Sequence, residues 1–195
     1  MLQKFSDNII YCPISVYGEK VSNIMSKATT GKARIAYANI WEPKKDKNGK
    51  EKYSVMVLIP KTDLETLDKI RVAVESCYTE SKDTLKGKGV SCPALGAIHT
   101  PLRDGDEEHP EEELYKGMMF LNASGIYPPD IITSNKEDIT DHEEVYSGCY
   151  CRVSLGFYAY NTNGSKGIAC SLRAIMKIAD GERLGSKGSA RDDFD

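Results

Sequence analysis

The sequence is poor in the residues and patterns that mark most catalysts and metal proteins. It has three histidines and one tryptophan in 195 residues. It contains no P-loop, no dinucleotide-binding glycine pattern and no nucleophile elbow. His99, His109 and His142 stand in loop-like segments with no recognisable partner pattern, so no enzyme and no cofactor are expected. The six cysteines include no C-x2-C pair: Cys149 and Cys151 are separated by one residue, and Cys12, Cys77, Cys92 and Cys170 are scattered. That spacing is a poor zinc site, and no metal is expected. No apolar run approaches the roughly 18 residues of a membrane span, so no membrane contact is expected. Lys4 and Asp7 interrupt the N-terminus, which lacks the apolar core and cleavage site of a secretory signal. Reduced thiols in a cytoplasm are the expectation. An excess of one charge is also missing, since 26 basic and 29 acidic residues give a net charge of −3. Such a chain meets a polyanion only through a local basic face.

What is present centres on Val145 to Asn161. Successive strand side chains point to opposite faces, so Cys151, Val153, Leu155, Phe157 and Ala159 share one side and read as core. Tyr150, Arg152, Ser154, Gly156, Tyr158 and Tyr160 share the other. Aromatic rings beside a cation, with small residues between, suit stacking of unpaired bases and contact with their phosphates. An ordinary two-sided strand with tyrosines packed under a loop accounts for this stretch equally well.

In chain order, residues 1–28 show no clean period and read as an N-terminal extension. Gly31 to Ile40 alternates as a strand, with Lys32 and Arg34 on one side and Ile35 and Tyr37 on the other. Asn48-Gly49, set among lysines, signals a hairpin whose return strand is Tyr53 to Ile59. The basic tip reads either as a phosphate track or as a solvated turn. Thr62-Asp63-Leu64-Glu65 reads as a capping box with Thr62 as N-cap. Leu64, Leu67, Ile70, Val74 and Cys77 or Tyr78 follow as the apolar stripe of a helix ending near Ser81.

Residues 82–97 read as loop, and Thr100 to Glu113 as a solvated acidic loop in which Arg103 is paired internally. The competing reading is a metal-dependent enzyme of DNA metabolism, nuclease-like, with Asp104, Asp106 and Glu107, in the stretch Asp104 to Glu108, as ligands. Met118 to Ala123 is a short buried strand, and Asn163-Gly164 turns the central strand into an antiparallel partner, Gly167 to Ile175, with Lys166 at the turn and Arg173 outward. Residues 179–195 read as a flexible acidic tail, closing on Asp192, Asp193, Phe194 and Asp195.

Several ordered motifs resemble one family. They are Thr30-Gly31-Lys32-Ala33-Arg34, Tyr37-Ala38-Asn39, Tyr53-Ser54-Val55 with Leu58-Ile59-Pro60-Lys61, Thr100 to Asp106, Glu144 to Gly148, Phe157 to Asn161, Gly167 to Cys170 and the final Asp192-Asp193-Phe194. Together they resemble the bacteriophage single-stranded-DNA-binding proteins, OB-fold helix-destabilising proteins with an acidic C-terminal tail. The resemblance runs from about residue 29 to the end. It implies a mainly β chain: a five-stranded Greek-key OB barrel over residues 29–178 with one packed α-helix, extra loops and a disordered tail. It also implies a non-catalytic protein that coats and protects single-stranded DNA in phage replication and recombination, in the bacterial host cytoplasm. The tail would compete with DNA and recruit replisome proteins such as DNA polymerase or helicase, and a homodimer is compatible. The residues expected at the nucleic acid are Lys32, Arg34, Tyr150, Arg152, Tyr158, Tyr160, Lys166 and Arg173. Asp192, Asp193, Phe194 and Asp195 are expected to meet the partner.

Overall fold

The computed structural model describes residues 26–46, 49–162 and 164–185. The strands are β1 (Ser26–Thr29), β2 (Ala33–Lys45), β3 (Glu51–Pro60), β4 (Arg103–Asp104), β5 (Met118–Gly125), β6 (Asp130–Ile132), β7 (Tyr150–Thr162) and β8 (Ser165–Ala179). The helices are α1 (Leu64–Glu80), α2 (Lys82–Lys86) and α3 (Gly105–Glu108). Strands β2, β3 and β5 follow one another antiparallel, β5 lies parallel to β8, β8 pairs antiparallel with β7, and β7 returns to β2. The ring β2-β3-β5-β8-β7 closes on itself with a single parallel junction, which is the five-stranded Greek-key barrel expected. β1 extends the sheet along β7, β6 along β8 and β4 along β5.

Alternation within β7 builds the interior. Cys151, Val153, Leu155 and Phe157 are fully buried, facing Val55, Val57 and Ile59 of β3 and Leu121 of β5 in one cluster. Each such side chain contributes about 1.5–3 kcal/mol by leaving water. The β7–β8 hairpin closes at the Thr162–Ser165 pair, with Gly164 at φ 83° where an L side chain would be strained. Between Ser154 and Leu155 the register slips by one, leaving Arg173 as the extra residue of a bulge.

Helix α1 lies between the second and third barrel strands, and Leu67, Ile70, Ala73, Val74 and Cys77 seal it to the core. Its N-cap is Asp63, not Thr62: the Asp63 carboxylate accepts from the Thr66 amide at 3.1 Å. The shift by one residue moves Glu65 to the outer side of the first turn, where it pairs with Lys69 at 2.6 Å. The Thr66 hydroxyl accepts instead from the Gly31 amide at 2.7 Å, tying the helix start to the β1–β2 turn. Leu64, expected in the stripe, projects past the barrel and is exposed.

Other expectations need correction. β1 begins at Ser26, so the fold starts before residue 29. The segment 82–97, read as loop, opens with α2, whose Leu85 is buried. Tyr37 does not share a side with Ile35, because the β2–β3 register shifts after Ala36 and Tyr37 adopts φ 47°. The bulge turns its ring to solvent. The chain after β8 is packed through Leu184 rather than loose from residue 179. The Leu184 amide donates to the Ser147 carbonyl at 2.8 Å, and the Arg183 guanidinium lies 4.0 Å over the Tyr146 ring.

Candidate nucleic-acid interface

The outer side of β2, β3, β5, β8 and β7 is open where Asn39, Ser54, Asn122, Ser124 and Ser171 line it, while Ala36, Leu58 and Phe120 on the same side are buried with Tyr115. Its register sets Asn39 against Ser54, Ser54 against Ser124, Met56 against Asn122, and Ser124 against Ser171. On β7, Tyr158 and Tyr160 face outward opposite Ala169 and Gly167. Tyr37 stands at one side, 59% exposed, and Tyr158 at the other, 36% exposed. Lys52 lies close enough to Tyr158 to oppose the rise in its pKa, whose main cause is desolvation. Small polar residues on β3, β5 and β8 separate these rings, leaving a flat, partly aromatic surface.

A second apolar cluster supports this face from its outer side. Ala36, Leu58, Phe120 and Tyr115 pack together there, with Met56 and Leu184 against them. Tyr115 stacks on His109 at 4.1 Å and meets Phe120 edge-on at 5.1 Å. Burial and the neighbouring Tyr37 hydroxyl push the Tyr115 phenol up to about 12, so it stays protonated. The Arg103 guanidinium lies 4.3 Å over the Phe120 ring and pairs with Glu108 at 3.0 Å, the internal pairing expected of it. The acidic segment is thus a folded flap on the barrel.

Asp104 and Asp106 are clamped there by one lysine. Lys61 Nζ contacts Asp104 at 2.6 Å and Asp106 at 2.7 Å. Asp104 also caps α3, and Asp106 accepts from the Gly117 amide at 2.9 Å. The Lys61 hydrogen bonds are the main cause lowering both carboxylates below their ordinary range, and these same contacts raise Lys61. Asp104 and Asp106 therefore anchor the flap, and among the described residues no group of three or more His, Cys, Asp or Glu side chains is placed to hold a metal ion.

The eight expected residues do not form one patch. Tyr158 and Tyr160 lie on the outer surface just described. Lys32, Arg34 and Tyr150 gather at the far end of β7, where Lys32 Nζ lies 4.6 Å over the Tyr150 ring. Arg34 donates to the Gly148 carbonyl at 3.4 Å and the Glu182 carbonyl at 3.0 Å, holding the segment after β8. Arg152 donates to the Thr30 carbonyl at 3.3 Å, beside the groove between β1 and α1. Lys166 donates to the Lys86 carbonyl at 3.1 Å and so steadies α2. Arg173 sits half-buried at the β8 bulge. Asp192, Asp193, Phe194 and Asp195 lie outside the described residues.

Sequence reasoning missed Tyr37, Arg103, Asn122 and Ser124 on this surface, while Lys52 belongs to the basic hairpin tip read either as a phosphate track or as a solvated turn. Alternation places Asn122 and Ser124 opposite Leu121 and Ala123, a signal that was there to read. Nothing in the local pattern gives the Tyr37 bulge.

A closed barrel of this topology with an open aromatic and polar face defines the OB-fold class. The chain belongs to the family described as Enterobacter phage Enc34, ssDNA-binding protein, which it matches over residues 26–195. It is 31% identical over 175 residues to protein p50 of Acyrthosiphon pisum secondary endosymbiont phage 1, covering 87% of this chain and 92% of that one. Its fold is similar to the single-stranded DNA-binding protein of bacteriophage Enc34 in complex with ssDNA, with a TM-score of 0.67 and 23% identity over 82% of this chain and 90% of that one. It is also similar to gp2.5, a single-stranded DNA binding protein encoded by bacteriophage T7, with a TM-score of 0.59 and 15% identity over 84% of this chain and 97% of that one.

Proposed function

We propose that this protein binds and coats single-stranded DNA in phage replication and recombination, without catalysis, along the outer face of β2, β3, β5, β8 and β7. The observation that carries the reading is the pair of exposed rings, Tyr37 and Tyr158, flanking a floor of small polar side chains on an OB barrel. Bases stack on such rings whatever their sequence, and nearby cations hold the backbone. Tyr37, Tyr158 and Tyr160 take the stacking role, and Lys52 and Arg103 meet phosphates. Lys32 with Tyr150, and Arg152, Lys166 and Arg173, extend the path toward either end of β7, while Arg34 acts chiefly by holding residues 180–185.

The acidic tail competes with DNA for this face and recruits a replication partner, such as a polymerase or helicase, when DNA displaces it. Support comes from the last described residues: Leu184 packs against the cluster of Ala36, Leu58, Tyr115 and Phe120 on the outer side of the barrel. A gel-shift comparison of single-stranded and duplex oligonucleotides of equal length, with magnesium and with chelator, tests the reading. Preferential shift of the single strand, unchanged by chelator and without cleavage, is expected. Preference for duplex, or cleavage dependent on magnesium, contradicts it.

A further inference from the structure

Beside Tyr160 the face drops into an open recess of about 370 Å³, lined among others by Thr100, Arg103, Asn122 and Ser124, a size within the range of small-molecule sites. Its walls are built deliberately. His99 is bridged to Gly167, with the Ile168 amide donating to the His99 carbonyl at 2.8 Å. A Cβ on Gly167 would lie 2.6 Å from that carbonyl oxygen and 2.8 Å from the Tyr160 hydroxyl. The glycine therefore lets the loop and the ring close on each other. Three polar side chains of this recess are uncommitted: among the described residues those of Thr100, Asn122 and Ser124 take no hydrogen bond. Arg103 at the mouth carries the positive charge, and its partner Glu108 is outside the lining.

From this geometry we infer that the recess receives the edge of one nucleobase, hydrogen-bonded by Asn122 and Ser124 beside the Tyr160 ring, so that the protein distinguishes bases as well as strands. The inference rests on the interface proposed above and deepens it. An amide offers a donor and an acceptor side by side, which is how asparagine pairs with a base edge bearing the complementary pair. The hydroxyls of Ser124 and Thr100 turn to supply whichever group the remaining edge lacks. The exposed rings of Tyr37 and Tyr158 hold bases without reading them, and the recess reads one.

The test titrates the full chain with labelled oligo-dA, oligo-dC and oligo-dT of equal length and with a fully abasic strand. The expected result is that wild-type affinities differ among the three base-bearing strands by at least about fivefold, the low end of one base-edge contact. Asn122→Ala and Ser124→Ala narrow that spread and leave abasic-strand binding unchanged. Asn122→Thr, which suits a strand, guards against a fold effect, and an unaltered thermal melt accompanies it. Equal wild-type affinities, an undiminished spread in the variants, or an equal loss on the abasic strand overturns the inference while leaving the interface standing. Failure of the wild type to bind any strand overturns the interface and this subsite with it.

Discussion

Tyr37 adopts φ 47° on a strand, a conformation uncommon for a bulky side chain, and it does so where its ring is exposed beside Tyr115. Backbone held in such a state marks a position over-determined by its surroundings, often at a functional site. Tyr37→Ala and Tyr158→Ala are each expected to weaken single-strand binding by about 1–3 kcal/mol, roughly 5- to 150-fold, in an anisotropy titration. Tyr37→Phe is expected to retain most of the affinity because the π-face remains. Lys52→Gln and Arg103→Gln act differently, each flattening the dependence of log affinity on log salt by about 0.7. A second expectation concerns the flap. Asp104 and Asp106 titrate below their ordinary value and Lys61 above its own. Depressed carboxylates contribute attachment that is present at neutral pH and is lost only as the pH falls through their lowered values, whereas Lys61 keeps its share until alkali exceeds its raised value. Lys61→Met is expected to return both aspartates toward the ordinary range, read by NMR titration of their carboxyl carbons, and unchanged titrations would show that the clamp is not the cause.

The start of α1 joins three segments through Asp63, Thr66 and Gly31. Asp63→Ala removes the cap and is expected to cost about 1 kcal/mol of stability in a denaturant melt, while Asp63→Asn retains most of it. At the β7–β8 turn, Gly167→Ala places a methyl against His99 and Tyr160. The result expected is a shifted recess, read as altered chemical shifts of both residues in a protein that remains folded. These elements also show what was legible in the sequence and why. The β7 core face was readable because a period of two extends over Cys151, Val153, Leu155 and Phe157, the bulge between Ser154 and Leu155 adding its extra residue, Arg173, on β8 and not on β7, and the hairpins were readable because glycine marks their turns. The outward turn of Tyr37 was not, since a bulge depends on the pairing of β2 with β3 rather than on either strand alone. Nor was the flap: Lys61 and Asp104 are far apart in the chain, and only the fold brings them to 2.6 Å. The carbonyl partners of Arg34, Gly148 and Glu182, were not legible either, because they come from distant segments.

For the whole molecule, a net charge of −3 requires that a polyanion be met through a local face, and the acidic end is proposed to compete for that face. The fold holds the chain through Leu184 at the edge of the proposed interface. The proposed competition needs residues 192–195 to reach Tyr37 and its neighbours from Leu184. Removing residues 192–195 is expected to strengthen single-strand binding at low salt, with the gain shrinking as salt screens the charges. Phe194→Ala is expected to spare that competition while losing capture of a replication partner. Identical affinities of full-length and truncated protein at low salt would mean that the tail never visits the face. The central claim, that single strands lie on the outer face of β2, β3, β5, β8 and β7, is tested most directly by one anisotropy titration. Wild type and the Tyr37→Ala, Tyr158→Ala double variant are each titrated against the same labelled oligonucleotide, single-stranded and annealed to its complement. The account predicts tighter binding of the single strand by wild type and loss of most of that preference in the double variant with its thermal melt unchanged. A double variant that binds the single strand as tightly as wild type would contradict it.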